Sequence, residues 1–119
     1  MKRYVLTGFL ILSSSFKSNQ FINGVDISML KQVEDNGGVF YENGNQIDPI
    51  QLYKEKGFNT ARIKIWHTPM LNYNNLESVL EMAQRINNVG LDLFLDFHYS
   101  DTWADPSSQT KPAAWENLN

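Results

Sequence analysis

Asp96 and His98 stand two residues apart in the stretch DFHYSDTWADP, with Asp101 and Asp105 close behind and Tyr99 and Trp103 between them. Two chemistries use such a set. Carboxylates and an imidazole can converge on a metal ion. They can equally hold the hydroxyls of a sugar whose apolar ring faces rest on aromatic side chains. A metal site wants three or four converging ligands, and the other histidine, His67, lies well before the stretch, so a metal-dependent hydrolase built on Asp96 and His98 has a thin ligand census. The aromatic set is richer, because Trp66 and Trp115 join Tyr99 and Trp103. Carbohydrate recognition is the better reading of the cluster, although Trp115 would serve as well in a core.

The elements that must carry these residues alternate between strand and helix. FINGVDI (21–27) reads as a first strand, followed by a short helix that Ser28 is placed to cap and that ends near Gly37. Asn43-Gly44 between short flanks suggests a hairpin turn, and Asp48 with Pro49 makes an N-cap and first-turn pair for a helix closed by Gly57. TARIKIW (60–66) alternates as a second strand. In NNLESVLEMAQRINNVG the apolar residues Leu76, Val79, Leu80, Ala83 and Ile86 mark the longest helix, with Asn74 and Glu77 at capping-box spacing and Gly90 at its end. LDLFLDF (91–97) is the third strand. Connections this long, containing helices, imply parallel βαβ units with right-handed crossovers.

The strand alternation separates two faces. Ala61, Ile63 and Ile65 oppose Arg62, Lys64 and Trp66; Leu93, Leu95 and Phe97 oppose Phe94, Asp96 and His98; Val25 and Ile27 oppose Asp26. Helices need the apolar face, so the charged set faces the other way. If the sheet curls into a barrel, Asp26, Arg62, Lys64, Asp96 and His98 point toward its axis, the later residues of each strand nearest the C-terminal rim where barrel sites are built. Such a set suggests a functional pocket at that rim; the alternative for Lys64 and Asp96 is a structural salt-bridge network, and one network can do both. Three parallel strands need both faces covered or closure into a barrel, so the chain is expected to be the N-terminal part of a larger α/β domain.

Composition narrows the partners. The formal charge of −3 and the absence of a Lys/Arg run argue against nucleic acid or an anionic membrane surface. With no cysteine, a disulfide framework, a thiolate metal site and a cysteine nucleophile are excluded. Lys2 and Arg3, the apolar run Val5 to Leu12 and the small residues Ser13 and Ser15 occur in the order of a signal peptide. Cleavage is expected after Ser15, giving an exported protein, secreted or periplasmic, with no membrane association once the leader is removed. No internal repeat or linker suggests a second domain.

FINGVDIS, GGVFYENG, DPIQLYKEKGFNTARIKIWHTP, YNNLESVLEMAQRINNVGL and LDFHYSDTWADPSSQTKPAAW together resemble the opening of glycoside hydrolase family 53, the arabinogalactan endo-β-1,4-galactanases, from Phe21 to Trp115. Lys64, where arginine is common, and HTP, where VNP is common, depart from the pattern. The resemblance implies a (β/α)8 TIM barrel of which the first three βα units are present over residues 16–119, truncated after the third strand and its loop. It implies a galactan or arabinogalactan polysaccharide as partner, a retaining mechanism with two glutamates, a monomer when complete, and no cofactor, any calcium of the complete enzyme belonging to loops absent here. By that similarity the glutamates follow the fourth and seventh strands. None of Glu34, Glu42, Glu55, Glu77, Glu81 or Glu116 matches a catalytic position, so the 119 residues alone are expected to be inactive. Matching motifs carry over a substrate-binding set of Asp26, Arg62, Trp66, His98, Asp101 and Trp103, with no metal ligands. A non-catalytic carbohydrate-binding module is the alternative.

Overall fold

A computed structural model describes residues 21–118. The leader expected over residues 1–15 lies outside the described residues. In chain order the elements are β1 (Gly24–Asp26), α1 (Leu30–Asp35), β2 (Tyr41–Glu42), β3 (Asn45–Gln46), α2 (Pro49–Glu55), β4 (Thr60–Ile65), α3 (Leu76–Asn88) and β5 (Asp92–Phe97), with a 3-10 turn at Ala113–Trp115. β1, β4 and β5 form one sheet in that order, both pairings parallel. The register sets Asp26 opposite Arg62, and Lys64 opposite Asp96. β2 and β3 pair antiparallel around Asn43 and Gly44, whose φ values of 50° and 81° are the two positive angles that a tight two-residue hairpin turn requires.

The core lies between one face of the sheet and the helices. Ala61 and Ile63 of β4 are buried with Leu30 of α1, Ile50 of α2, and Val79, Met82 and Ile86 of α3. Burying each of the Ile, Leu, Val and Met side chains among these stabilises the fold by about 1.5–3 kcal/mol. At the start of α2 the expected cap is present: Asp48 Oδ1 accepts from Ile50 N at 2.8 Å, with Pro49 in the first turn. Arg85 of α3 ties the helical layer together, donating to Glu34 at the end of α1 at 2.6 and 3.0 Å and lying 3.4 Å from Asp48. The Glu34 carboxylate, hydrogen-bonded to it, raises the Arg85 pKa.

Several local expectations are corrected. The first strand is Gly24–Asp26 rather than residues 21–27; just before it, the Asn23 N–H donates to the Asn59 side chain and the Asn23 side-chain amide to the Gly57 carbonyl. Ser28 does not cap α1: Met29 is the N-cap, and the buried Ser28 hydroxyl instead accepts the Lys64 amide N–H at 3.0 Å. At α3 the cap is Asn75, whose Oδ1 accepts from Ser78 N at 2.9 Å, rather than Asn74. Asn74 has a φ of 59° and uses its carbonyl to accept from Trp66 N. The buried face of α3 is Val79, Met82 and Ile86; Leu76 and Leu80, expected in the stripe, are more than 60% exposed. The helix is turned about its axis so that the flank of the apolar stripe carrying Met82 meets the sheet. On β5, Leu95 packs against the core, whereas Leu93 and Phe97 of the same face are exposed.

Candidate functional site

The face of the sheet away from the core gathers the charged side chains. Arg62, at the centre of β4, donates through Nη1 to Asp26 on β1 and through Nη2 to Asp96 on β5, bridging all three strands. Burial pushes the Asp26 carboxyl up, but hydrogen bonds from Ser28 and the Arg62 guanidinium outweigh it and hold it below its ordinary value. His98, just beyond β5, is nearly enclosed. Its Nδ1 accepts from Trp66 Nε1 and from Ala104 N, both at 3.2 Å, so the ring proton belongs on Nε2, which lies 3.2 Å from Asp96 Oδ2. Asp96 therefore receives Arg62 and His98 on the same oxygen.

Lys64 sits between these groups and the aromatics. Its side chain is only 1% exposed, and Nζ lies 3.1 Å from the centre of the Trp103 indole and 5.5 Å from that of Trp66. Burial pushes the ammonium pKa down and Arg62 adds to that, while Asp26 and Asp96 oppose it. The two indoles meet edge to face at 5.7 Å, and each does the same with His98. The aromatic corner is thus built from β4, the end of β5 and the loop after it.

Two grooves flank this corner. One, of about 540 Å³, runs past Arg62, Asp96, His98, Tyr99 and Asp105. The other, of about 670 Å³, is lined by Met29, Trp66, Met70, Tyr73, Asp101 and Trp103. Both lie where the strands end at their C-terminal side. A further depression beneath the hairpin involves Glu34 and Asp48, but these are already committed to Arg85.

Of the six residues expected to bind substrate, the structure brings Asp26, Arg62, Trp66, His98 and Trp103 into one connected cluster. Asp101 stands beside it with both oxygens occupied, Oδ1 accepting Thr68 N and Oδ2 accepting Ala113 N. It fastens the loop after β4 to the C-terminal segment. Asp105 folds onto its own turn by accepting from Ser107 and Ser108, and the Ser107 hydroxyl leads in lowering its pKa. Trp115 turns away from the cluster, meeting His67 at 5.0 Å and Tyr99 at 6.4 Å beside Ile65 and Phe97. Among the described residues no three His, Asp or Glu side chains are grouped to hold a metal ion. A cation at Asp96 and His98 would also face the Arg62 guanidinium.

Three features of the site go beyond the roles that the sequence suggests for Tyr99, Ser28 and Lys64. Tyr99 adopts a φ of 49°, a left-handed turn that separates the inward His98 from the buried Ser100, whose carbonyl accepts His67 N. Ser28 fixes the Lys64 backbone, and the Lys64 ammonium meets Trp103 across 39 positions of sequence. No local spacing encodes these contacts.

The glutamates stand elsewhere. Glu34 pairs with Arg85, Glu42 with Lys56, Glu55 with Gln51 and Glu81 with Lys31, while Glu77 and Glu116 are exposed at helix ends.

Comparison with known proteins gives this arrangement its context. The sequence profile of glycosyl hydrolase family 53 matches residues 22–119. An arabinogalactan endo-β-1,4-galactanase of Cellvibrio japonicus is 34% identical over 125 residues, covering 99% of this chain and 33% of that protein. An uncharacterised protein of Niallia circulans is 44% identical over 104 residues, covering 87% of this chain and 28% of its own length. The solved family 53 catalytic domain of Ignisphaera aggregans superimposes with a TM-score of 0.77 at 38% identity, over 83% of this chain and 30% of that one. The chain thus spans about a third of the length of these relatives, and its three parallel strands, with the helices that connect them, are a part of a (β/α)8 barrel that stops short of the helix after the third strand. The chain belongs to glycosyl hydrolase family 53.

Proposed function

We propose that these 119 residues are the N-terminal part of an exported endo-β-1,4-galactanase that hydrolyses β-1,4-galactosidic bonds in galactan or arabinogalactan. The observation that carries this reading is the connected cluster of Asp26, Arg62, Asp96, His98, Trp66 and Trp103 on the face of the sheet away from the helices, running from the middle of β4 to the C-terminal ends of the strands, in a chain of this family. Sugars meet such a surface through hydroxyls on the charged side chains and ring faces on the indoles. Arg62 and Asp26 are suited to bind hydroxyls, His98 to orient Trp66 and Asp96, and Asp101 to hold the loop that carries Trp103.

Cleavage is assigned to two glutamates in the later part of a longer protein, one as acid and base and the other as nucleophile. They would stand about 5–5.5 Å apart, as retention of configuration requires. The six glutamates described above are paired on the helical layer or the hairpin or exposed at helix ends, away from the cluster, so none is given that role. The complete enzyme is proposed to act as a monomer without a cofactor, calcium if present lying in later loops, and to be secreted or periplasmic after removal of residues 1–15.

The test is to supply β-1,4-galactan to the purified 119-residue protein and measure both binding and new reducing ends. Binding of β-1,4-galactotetraose that is lost in Trp103→Ala, without release of reducing ends, is the expected result. Release of reducing ends would place catalytic carboxylates within these residues and overturn the division of labour. Equal affinity for cellotetraose and galactotetraose would remove the galactan assignment.

A further inference from the structure

Trp103 is held by a buried charge. Its loop follows β5, yet the indole is anchored to β4, because Lys64 Nζ sits 3.1 Å from the centre of the ring. Lys64 belongs to a strand fixed on both sides, by β1 and β5, and its own amide is pinned by the buried Ser28 hydroxyl. Among the described residues no carboxylate lies within ion-pair distance of Nζ, although Asp26 and Asp96 attract it from farther off. Its close contacts are the indole faces, where a desolvated ammonium is attracted to the ring quadrupole. Trp103 nevertheless remains 53% exposed and borders the groove that also contains Trp66 and Met29. One face of the ring is therefore covered by the ammonium while the exposed half opens to the groove.

We infer that Lys64 is a positioning residue, a cation clamped behind Trp103 that sets the indole as a rigid stacking wall for a sugar ring. The inference deepens the galactan-binding reading and rests on it for the identity of the sugar; the clamp itself does not. A loop tryptophan free to rotate would have to be ordered by each ligand, and that ordering would reduce affinity. Held from behind, the ring is ordered beforehand. The same cation draws electron density toward the covered face.

The clamp is read without ligand by incorporating fluorotryptophan into the 119-residue protein, which gives one fluorine resonance for each of its three tryptophans. The Trp103 resonance is assigned by its loss in Trp103→Phe. Lys64→Met is nearly isosteric and removes a buried charge, so it is expected to fold with equal or greater stability. In that variant the Trp103 resonance is expected to move toward its solvent-exposed position and that of Trp115 to stay in place. Lys64→Arg, which keeps the cation, is expected to restore it. If Lys64→Met fails to fold, the ring-current upfield shift of the Lys64 ε-protons in the unmodified protein, and its disappearance in Trp103→Leu, reads the same contact.

Titration with β-1,4-galactotetraose then separates the two ideas. Lys64→Met is expected to weaken binding about tenfold while Lys64→Arg stays within about threefold. An unchanged Trp103 resonance in Lys64→Met, or ε-protons without an upfield shift, would overturn the clamp whatever the sugar does. Absence of any response to galactotetraose in the unmodified protein would overturn the galactan assignment while leaving the clamp standing. Equal affinity of Lys64→Met and the unmodified protein would show that the clamp does not serve binding and would overturn the positioning role.

Discussion

Arg62 stands opposite Asp26 in the parallel register of β4 and β1, and its guanidinium closes the same pair by hydrogen bonding. Backbone register and side-chain charge therefore specify one arrangement twice. A slip of one residue would turn Arg62 into the apolar layer and Ala61 out of it.

Replacing Arg62 with Met leaves Asp26 and Asp96 facing each other without their shared cation. Because the pair is partly exposed, the expected cost is about 1–2 kcal/mol, between the values for surface and buried pairs. Arg62→Lys should recover less than half, since an ammonium cannot fork between two carboxylates as a guanidinium does. Urea unfolding of the three proteins checks this.

Acid should act on the same pair. The folded-state pKa of Asp26 lies below its ordinary value of 3.8, so its stabilising contribution is fully present above pH 3.8 and is lost as the pH falls through the folded-state value. In Asp26→Asn that contribution is absent at every pH. The stability difference between the unmodified protein and the variant is therefore expected to shrink below pH 3.8, as measured by unfolding midpoints across an acid series.

The α3 cap distinguishes two neighbours of identical type. Asn75→Ala removes the acceptor of Ser78 N and should cost about 1 kcal/mol. Asn75→Asp should be at least neutral, because a carboxylate also complements the N-terminal end of the helix dipole. Asn74→Gly should be tolerated, given its left-handed backbone and a side-chain amide nitrogen that makes no hydrogen bond among the described residues. Thermal melts followed by circular dichroism give the order.

Ser28→Ala should cost about 1–3 kcal/mol without shortening α1, because it leaves the Lys64 amide buried and unsatisfied rather than uncapping a helix. Hydrogen exchange locates the effect: the Lys64 amide should lose protection, while amides of α1 keep theirs.

Much of this molecule is legible in its residues because the relevant signals are short-range. Alternation in TARIKIW places Arg62 and Lys64 opposite Ala61 and Ile63, and Asp48-Pro49 and Asn43-Gly44 specify a cap and a turn within a few positions. The failures come where a distant partner decides. Ser28 has the right type for a helix cap, but a buried amide 36 residues away competes for its hydroxyl. Asn74 and Asn75 are equivalent as caps until Trp66 claims the Asn74 carbonyl. Leu76 and Leu80 belong to the apolar stripe by spacing, yet the angle at which α3 meets the sheet selects Met82. The site shows the same division: five of its six expected residues converge, whereas Asp101 is of the right type but is taken up by backbone amides from two other segments.

β1, β4 and β5 lie side by side in the order in which they are synthesised, with no later strand inserted between two earlier ones. Each strand leaving the ribosome would find its docking edge already laid down, and each crossover helix could settle before the next begins. Growth in this direction avoids the threading step that a strand order out of sequence would impose. The earliest charge pair, Asp26 with Arg62, would then act as the template on which the growing sheet is aligned.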